Sequence, residues 1–123
     1  MTQPPSLDVL QQFVRFAVAR ESAIATNMAN VDTPGYHTKD VDFQSVLAES
    51  LNPTSAAWNG GAEGAELQPA THEVEGLMER PDGNNVDIDR ESMLMAETQL
   101  QYQVGMQLIK REFHQVLSAI NGN

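Results

Sequence analysis

The run Ala29-Asn30-Val31-Asp32-Thr33-Pro34-Gly35-Tyr36 decides how this chain is laid out. Pro34 disfavours helical geometry at Thr33, and Pro-Gly suits the centre of a type II turn, where Gly35 supplies the positive φ. Any helix leading into the run must stop there, and the chain must turn sharply. Asn27 and Asn30, close to that helix end, are placed to hydrogen-bond its last carbonyls or a neighbouring loop.

Upstream, the sequence predicts a helix from about Ser6 to Val31, with Pro4 and Pro5 before it and Ser6 as N-cap. Leu7, Leu10, Val14, Ala17, Ile24, Met28 and Val31 recur three and four apart, broken only by Glu21, while Phe13 and Phe16 widen the apolar face. An average spacing of 3.5 residues keeps one stripe turned to a partner helix, which is coiled-coil geometry. The other end of the chain repeats the pattern. Ile88, Met95, Tyr102, Met106, Ile109, Phe113, Val116 and Ile120 form a second seam with Ser92 and Gln99 as polar gaps. Asp87 or Asp89 suits its N-cap, Glu91 its first turn, and Asn121-Gly122 its stop. Leu94, Leu100, Val104, Leu108 and Leu117 lie off this seam, so the helix is expected to meet more than one neighbour.

Charge divides the chain in the same way. Residues 1–31 hold two acids and two bases, residues 32–90 twelve and three, and residues 91–123 three and two. Nearly neutral ends flank an acidic middle, as expected if the ends pack and the middle faces water. Within the middle, Asp42 followed by Phe43 to Leu51 predicts a short capped helix ending at Asn52-Pro53. Residues 54–70, rich in Ala, Gly, Ser and Pro, read as a mobile loop. Pro81-Asp82-Gly83-Asn84-Asn85 is a turn cluster, and Val74, Leu77, Met78 and Val86 around it suggest a small hairpin. The expected fold is mainly α: two long terminal helices in a coiled-coil-like hairpin, with a short helix and an irregular, partly disordered acidic insert between them. It is one folding unit with parts 1–36, 37–86 and 87–123, as its 123 residues suggest.

A formal charge of −10 repels phosphates and anionic lipid, which excludes nucleic acid and electrostatic membrane binding. No stretch approaches the length of a membrane span, and the N-terminus lacks the basic and apolar regions of a cleavable signal. Without cysteine there is no thiol nucleophile or disulfide framework. His37, His72 and His114 are far apart in sequence, and the acids from Asp82 to Asp89 are out of register for a calcium loop, since Val86 and Asp87 fall where an acid or amide and a Gly are needed. No phosphate loop, nucleophile elbow or paired catalytic carboxylates stand out, so no cofactor, metal or catalytic residue is expected. The methionines on the second helix read as packing.

The run Asn27 to Tyr36, followed by Lys39-Asp40-Val41-Asp42-Phe43, resembles the signature of flagellar rod and hook proteins. Asp32 before Thr33-Pro34-Gly35-Tyr36 is similar to the proximal rod member, where other members more often have Asn. A second block agrees: Gly83 to Glu91 and Met95 to Gln103 resemble the family's C-terminal signature, which Phe113 and Ser118-Ala119-Ile120 continue. Thr98 and Glu112 depart from it, standing where Asn and Lys are usual, and in the first block His37 stands where a basic residue usually follows Tyr.

The resemblance implies a structural subunit of a helical polymer, the rod that carries torque from the membrane ring to the hook. It implies export through the flagellar type III pathway without signal cleavage, assembly in the periplasm, and contacts with other rod subunits, the basal adaptor FliE, the membrane ring and the export gate. Phe13, Val14 and Phe16 are the candidate export signal. A soluble coiled-coil adaptor or secretion chaperone would use the same seams for a single client, and an enzyme is the least favoured class.

Overall fold

The structure, a computed structural model, describes residues 5–51 and 70–122; the helix stop at Asn52-Pro53 and all but the last residue of the loop expected over 54–70 lie outside them. Five elements follow in order: α1 (Pro5–Ala29), β1 (Lys39–Val41), α2 (Phe43–Leu51), β2 (Thr71–Glu73) and α3 (Ile88–Ile120). At 1.5 Å per residue, α1 and α3 are about 38 and 50 Å long.

α1 begins at Pro5, whose fixed φ suits a first helical position, so Ser6 lies inside the helix and is not its cap. It ends two residues before the expected Val31. Asn30 caps the last turn by donating from its side chain to Thr26 O at 2.8 Å, and tighter turns carry the chain on, from Val31 N to Met28 O and from Thr33 N to Asn30 O. α3 starts where its cap predicts. The Asp87 carboxylate accepts from Asp89 N and Arg90 N, and at the far end Gly122 adopts φ +73 beyond the Asn121 cap.

The two long helices pack antiparallel. Asn27 meets Glu91 near one end, and a side chain at Gly105 would touch Phe13 and Val14, so α1 counts down as α3 counts up. In that register Pro5 stands opposite about residue 113, and the last two turns of α3 extend roughly 10 Å past the start of α1. On its other flank α1 carries α2: Phe16, Ala23, Val41 and Val46 form a buried cluster with Ala19 and Phe43, and Phe43 meets Phe13 and Phe16 edge-on.

The small hairpin expected around Val74 to Val86 does not form. β2 instead pairs antiparallel with β1, Lys39 opposite Glu73 and Val41 opposite Thr71, and Val74 N extends the ladder to Thr38 O. Residues 74–87 stay irregular because their polar groups serve the end of α1. The turn at Pro81-Asp82-Gly83 is present, closed by Gly83 N to Arg80 O at 2.8 Å.

Candidate functional site: the hairpin tip and the uncovered face of α3

Asn27, on the last full turn of α1, is almost wholly buried and uses every hydrogen-bonding position of its amide. Its Nδ2 donates to Lys39 O at 2.8 Å and to Glu91 Oε2 at 3.1 Å; its Oδ1 accepts from Tyr36 Oη at 2.9 Å and from Lys39 N at 3.0 Å. One side chain thus ties α1, the turn, β1 and α3 together. Glu91 is fully buried, and its second oxygen accepts from Arg90 Nη1 at 2.8 Å. Burial, and after it the Glu91 carboxylate, raise the Tyr36 hydroxyl above its ordinary pKa of 10.0.

The turn itself is held from across the chain. Tyr36 N donates to Thr33 O and Gly35 takes φ +75, the backbone a type II turn requires. The buried Asn84 donates from Nδ2 to Asn30 O and Thr33 O, each at 2.9 Å, and Arg80 donates to Val31 O, so the carbonyls beyond α1 are satisfied by residues some fifty positions away. Asn85 holds the next stretch, its Oδ1 accepting from Thr38 N at 2.6 Å. Gly35 N donates to Asp82 O, which brings the two turns together. Gly83, at φ +87, sits so close that a Cβ there would lie 3.3 Å from the Gly35 Cα. Lower down, Arg20 grips Asp40 with two hydrogen bonds of 3.0 and 3.2 Å, fixing β1 against α1.

Of the signature residues, Asn27, Asn30, Thr33, Gly35 and Tyr36 enter this network, Thr33 and Gly35 through backbone groups of a turn that lies, with Asp32 and Pro34, at the surface. Asn84, Asn85 and Glu91, which sequence reasoning assigned to a turn and to a helix's first turn, are the partners on the other strand of the network. An Asn pair one residue short of a helix cap is the signal that marks Asn84 and Asn85. Val31, Leu77, Met78, Val86 and Ile88 line an open groove of about 390 Å³ beside the network, together with Arg80, Asn85 and Asp87.

Along the helices, Leu7, Ala17 and Ile24 are buried and Leu10, Val14 and Met28 half-buried. On α3 the face turned to α1 is offset from the apolar seam. Its buried positions are Glu91, Thr98 and Gly105, seven residues apart, whereas Met95, Met106, Ile109 and Val116 are half-buried. Tyr102, Phe113 and Ile120 are exposed at 37, 56 and 58%, as are Leu100, Val104, Leu108 and Leu117. The small Gly105 is what lets α1 approach: a Cβ there would fall 2.9 Å from Val14 Cγ2. A glycine inside a strong helical pattern signals such a close approach, and the sequence reading passed over it.

Among the described residues no group of three acids or histidines could hold a metal ion, and no helix is long and apolar enough to cross a membrane. No protein-family model matches the chain. Individual relatives do. The chain is 30% identical to the flagellar basal body rod protein FlgB of Escherichia coli over 126 residues, 92% of this chain and 91% of the relative. It is 29% identical to that of Salmonella typhimurium, with 91 and 90% covered, and 31% identical to that of Cereibacter sphaeroides, with 94% of each covered. Signature blocks at both ends of the chain, joined in one buried network and matched along nearly the whole length of these relatives, place the chain in the flagellar basal body rod protein FlgB family.

Proposed function

We propose that the chain is a structural subunit of the proximal rod, polymerising through its terminal helices and passing torque from the membrane ring towards the hook. The observation that carries this reading is the uncovered apolar face of α3, where Leu100, Tyr102, Val104, Leu108, Phe113 and Ile120 stand exposed beside a seam that α1 covers only in part. Neighbouring subunits burying these side chains would gain about 1.5–3 kcal/mol for each large one taken fully out of water. Leu7, Leu10, Val14, Ala17, Ile24 and Met28 of α1, with Met95, Tyr102, Met106, Ile109, Phe113, Val116 and Ile120 of α3, are the assembly seam. The tip residues Asn27, Asn30, Asp32, Thr33, Pro34, Gly35 and Tyr36 shape the end of each subunit. Parts 1–36, 37–86 and 87–123 act as one folding unit. The subunit leaves the cytoplasm through the flagellar export gate without signal cleavage and meets other rod subunits, FliE and the membrane ring in the periplasm.

The test is complementation of a strain lacking this chain. Phe113→Asp places a carboxylate on the uncovered face without touching the tip. Export at the normal level with loss of basal bodies and swimming is expected, while normal swimming would overturn assembly through this face.

A further inference from the structure

The two strands differ in what lies along their outer edges. Lys39 N and O both turn away from β2 to the Asn27 side chain, and Val41 N turns the same way to the Asp40 carboxylate, so side chains cap the outer edge of β1. In an antiparallel ladder the residues opposite such positions also point their backbone groups outward. Lys39 faces Glu73 and Val41 faces Thr71, while Val74 N, of the other parity, bonds inward to Thr38 O. The outward N–H and C=O groups of Thr71 and Glu73 have no hydrogen-bond partner among the described residues, and all three side chains of β2 are exposed.

We infer that the free edge of β2 takes up an extended basic segment of another protein as a third strand, with Lys or Arg at alternate positions opposite Glu73 and Glu75. An unpaired edge is a template for one more strand, and main-chain hydrogen bonds supply the affinity. Charge selects the occupant. Residues 36–42 and 71–79 hold five acids and one base, and Arg20 offsets only Asp40, which it grips. Glu73 and Glu75 are two residues apart, so in extended chain they share a face, and Glu73 keeps 65% of its side chain exposed beside His37. Residues 52–69 of this chain lead into β2 but carry Glu63 and Glu66 and no base. The β2 edge of a second copy would crowd Glu73 and Glu75 of the two chains together. Like charges directly opposite destabilise a strand pair and opposite charges stabilise it, which disfavours both of these occupants and favours a basic one.

The test titrates a fluorescently labelled Lys-Val-Lys-Val-Lys-Val peptide with the full-length chain and follows polarisation. Saturable binding is expected, severalfold weaker at high salt, and an acidic Glu-Val-Glu-Val-Glu-Val peptide should bind at least about tenfold more weakly. Thr71→Pro removes an outward N–H without changing the charge or the ladder with β1, and proline is tolerated at the first residue of a strand. It should cut binding about tenfold, and Glu73→Gln, which keeps the backbone, severalfold. Thermal melts by circular dichroism are the folding control for both variants. In the unaltered chain the basic peptide should slow amide exchange at Glu73 and leave that at His72 as it was. Equal binding to the Thr71→Pro chain would reduce the effect to attraction between a basic peptide and an acidic surface and overturn the third strand. Equal binding of the acidic peptide, or no saturation at the highest soluble concentration, would overturn it too. If the Thr71→Pro chain melts early, exchange at Glu73 decides alone, and an amide there that is not slowed overturns the contact.

Discussion

Replacing Asn27 by Leu removes four hydrogen bonds at once and leaves Lys39 N, Lys39 O and the Tyr36 hydroxyl without their partner, with Glu91 kept by Arg90 alone. Two or more buried polar groups unpaired at roughly 1–3 kcal/mol each predict a loss of about 2–4 kcal/mol in a urea melt. A loss below 1 kcal/mol would mean that water takes over the network. Tyr36 adds a dependence on pH. Because burial and then Glu91 raise its pKa above 10.0, the folded chain favours the neutral phenol. That contribution is intact below pH 10 and disappears as the pH climbs through the raised folded value. In a Tyr102→Phe background the single remaining tyrosinate, followed by ultraviolet absorbance, should appear above pH 10 in the folded chain and at a lower pH in urea; coincident curves would refute the shift. Of these residues, Pro34 and Gly35 were legible because their effect is local, written in allowed backbone angles. Asn84 and Glu91 were not, because what they satisfy is an amide and carbonyls 51 to 64 residues away, and sequence spacing carries no trace of that.

At the scale of elements, three glycines separate two kinds of constraint. Gly35 and Gly83 both need positive φ, but a Cβ at Gly35 meets nothing within 4 Å, whereas one at Gly83 presses on Gly35 itself. Gly35→Ala should therefore lose only the left-handed penalty, about 1–2 kcal/mol, and Gly83→Ala measurably more. Paired thermal melts decide the order, and the reverse order would mean that the two turns are not in contact. Gly105 is helical, so Ala there gains up to about 1 kcal/mol of propensity. It also drives a methyl into Val14 and Phe13, and overpacking at roughly 1–3 kcal/mol should win, lowering the melting temperature. A stabilised Gly105→Ala would show that α1 and α3 can draw apart freely. The long helices were legible from their three-four periodicity. The strands β1 and β2 were not: three residues each are too few to show a period, and their pairing joins segments 30 or more positions apart. The offset of α3's inner face escaped for a related reason: its buried residues, Glu91, Thr98 and Gly105, carry no large apolar side chain for a three-four pattern to pick out.

Seen whole, the hairpin is pinned at the tip and open at the other end, where, among the described residues, the turns of α3 over 113–122 have only their own hydrogen bonds. Amide exchange in the dilute chain should be slowest around Ile24, Asn27 and Glu91 and fastest over residues 113–122. Uniform protection along α3 would contradict that gradient. The tip closes through Asn27 with Glu91 and through Asn30 with Asn84, contacts spanning 64 and 54 residues. A chain made from its N-terminus thus completes α1, β1 and α2 well before Asn84 and Glu91 can close the tip. At roughly 5–20 residues per second, 64 residues take several seconds to appear. For that interval the tip has no lock, and the arrival of residues 80–91 acts as a timer that keeps it open until about three quarters of the 123 residues exist.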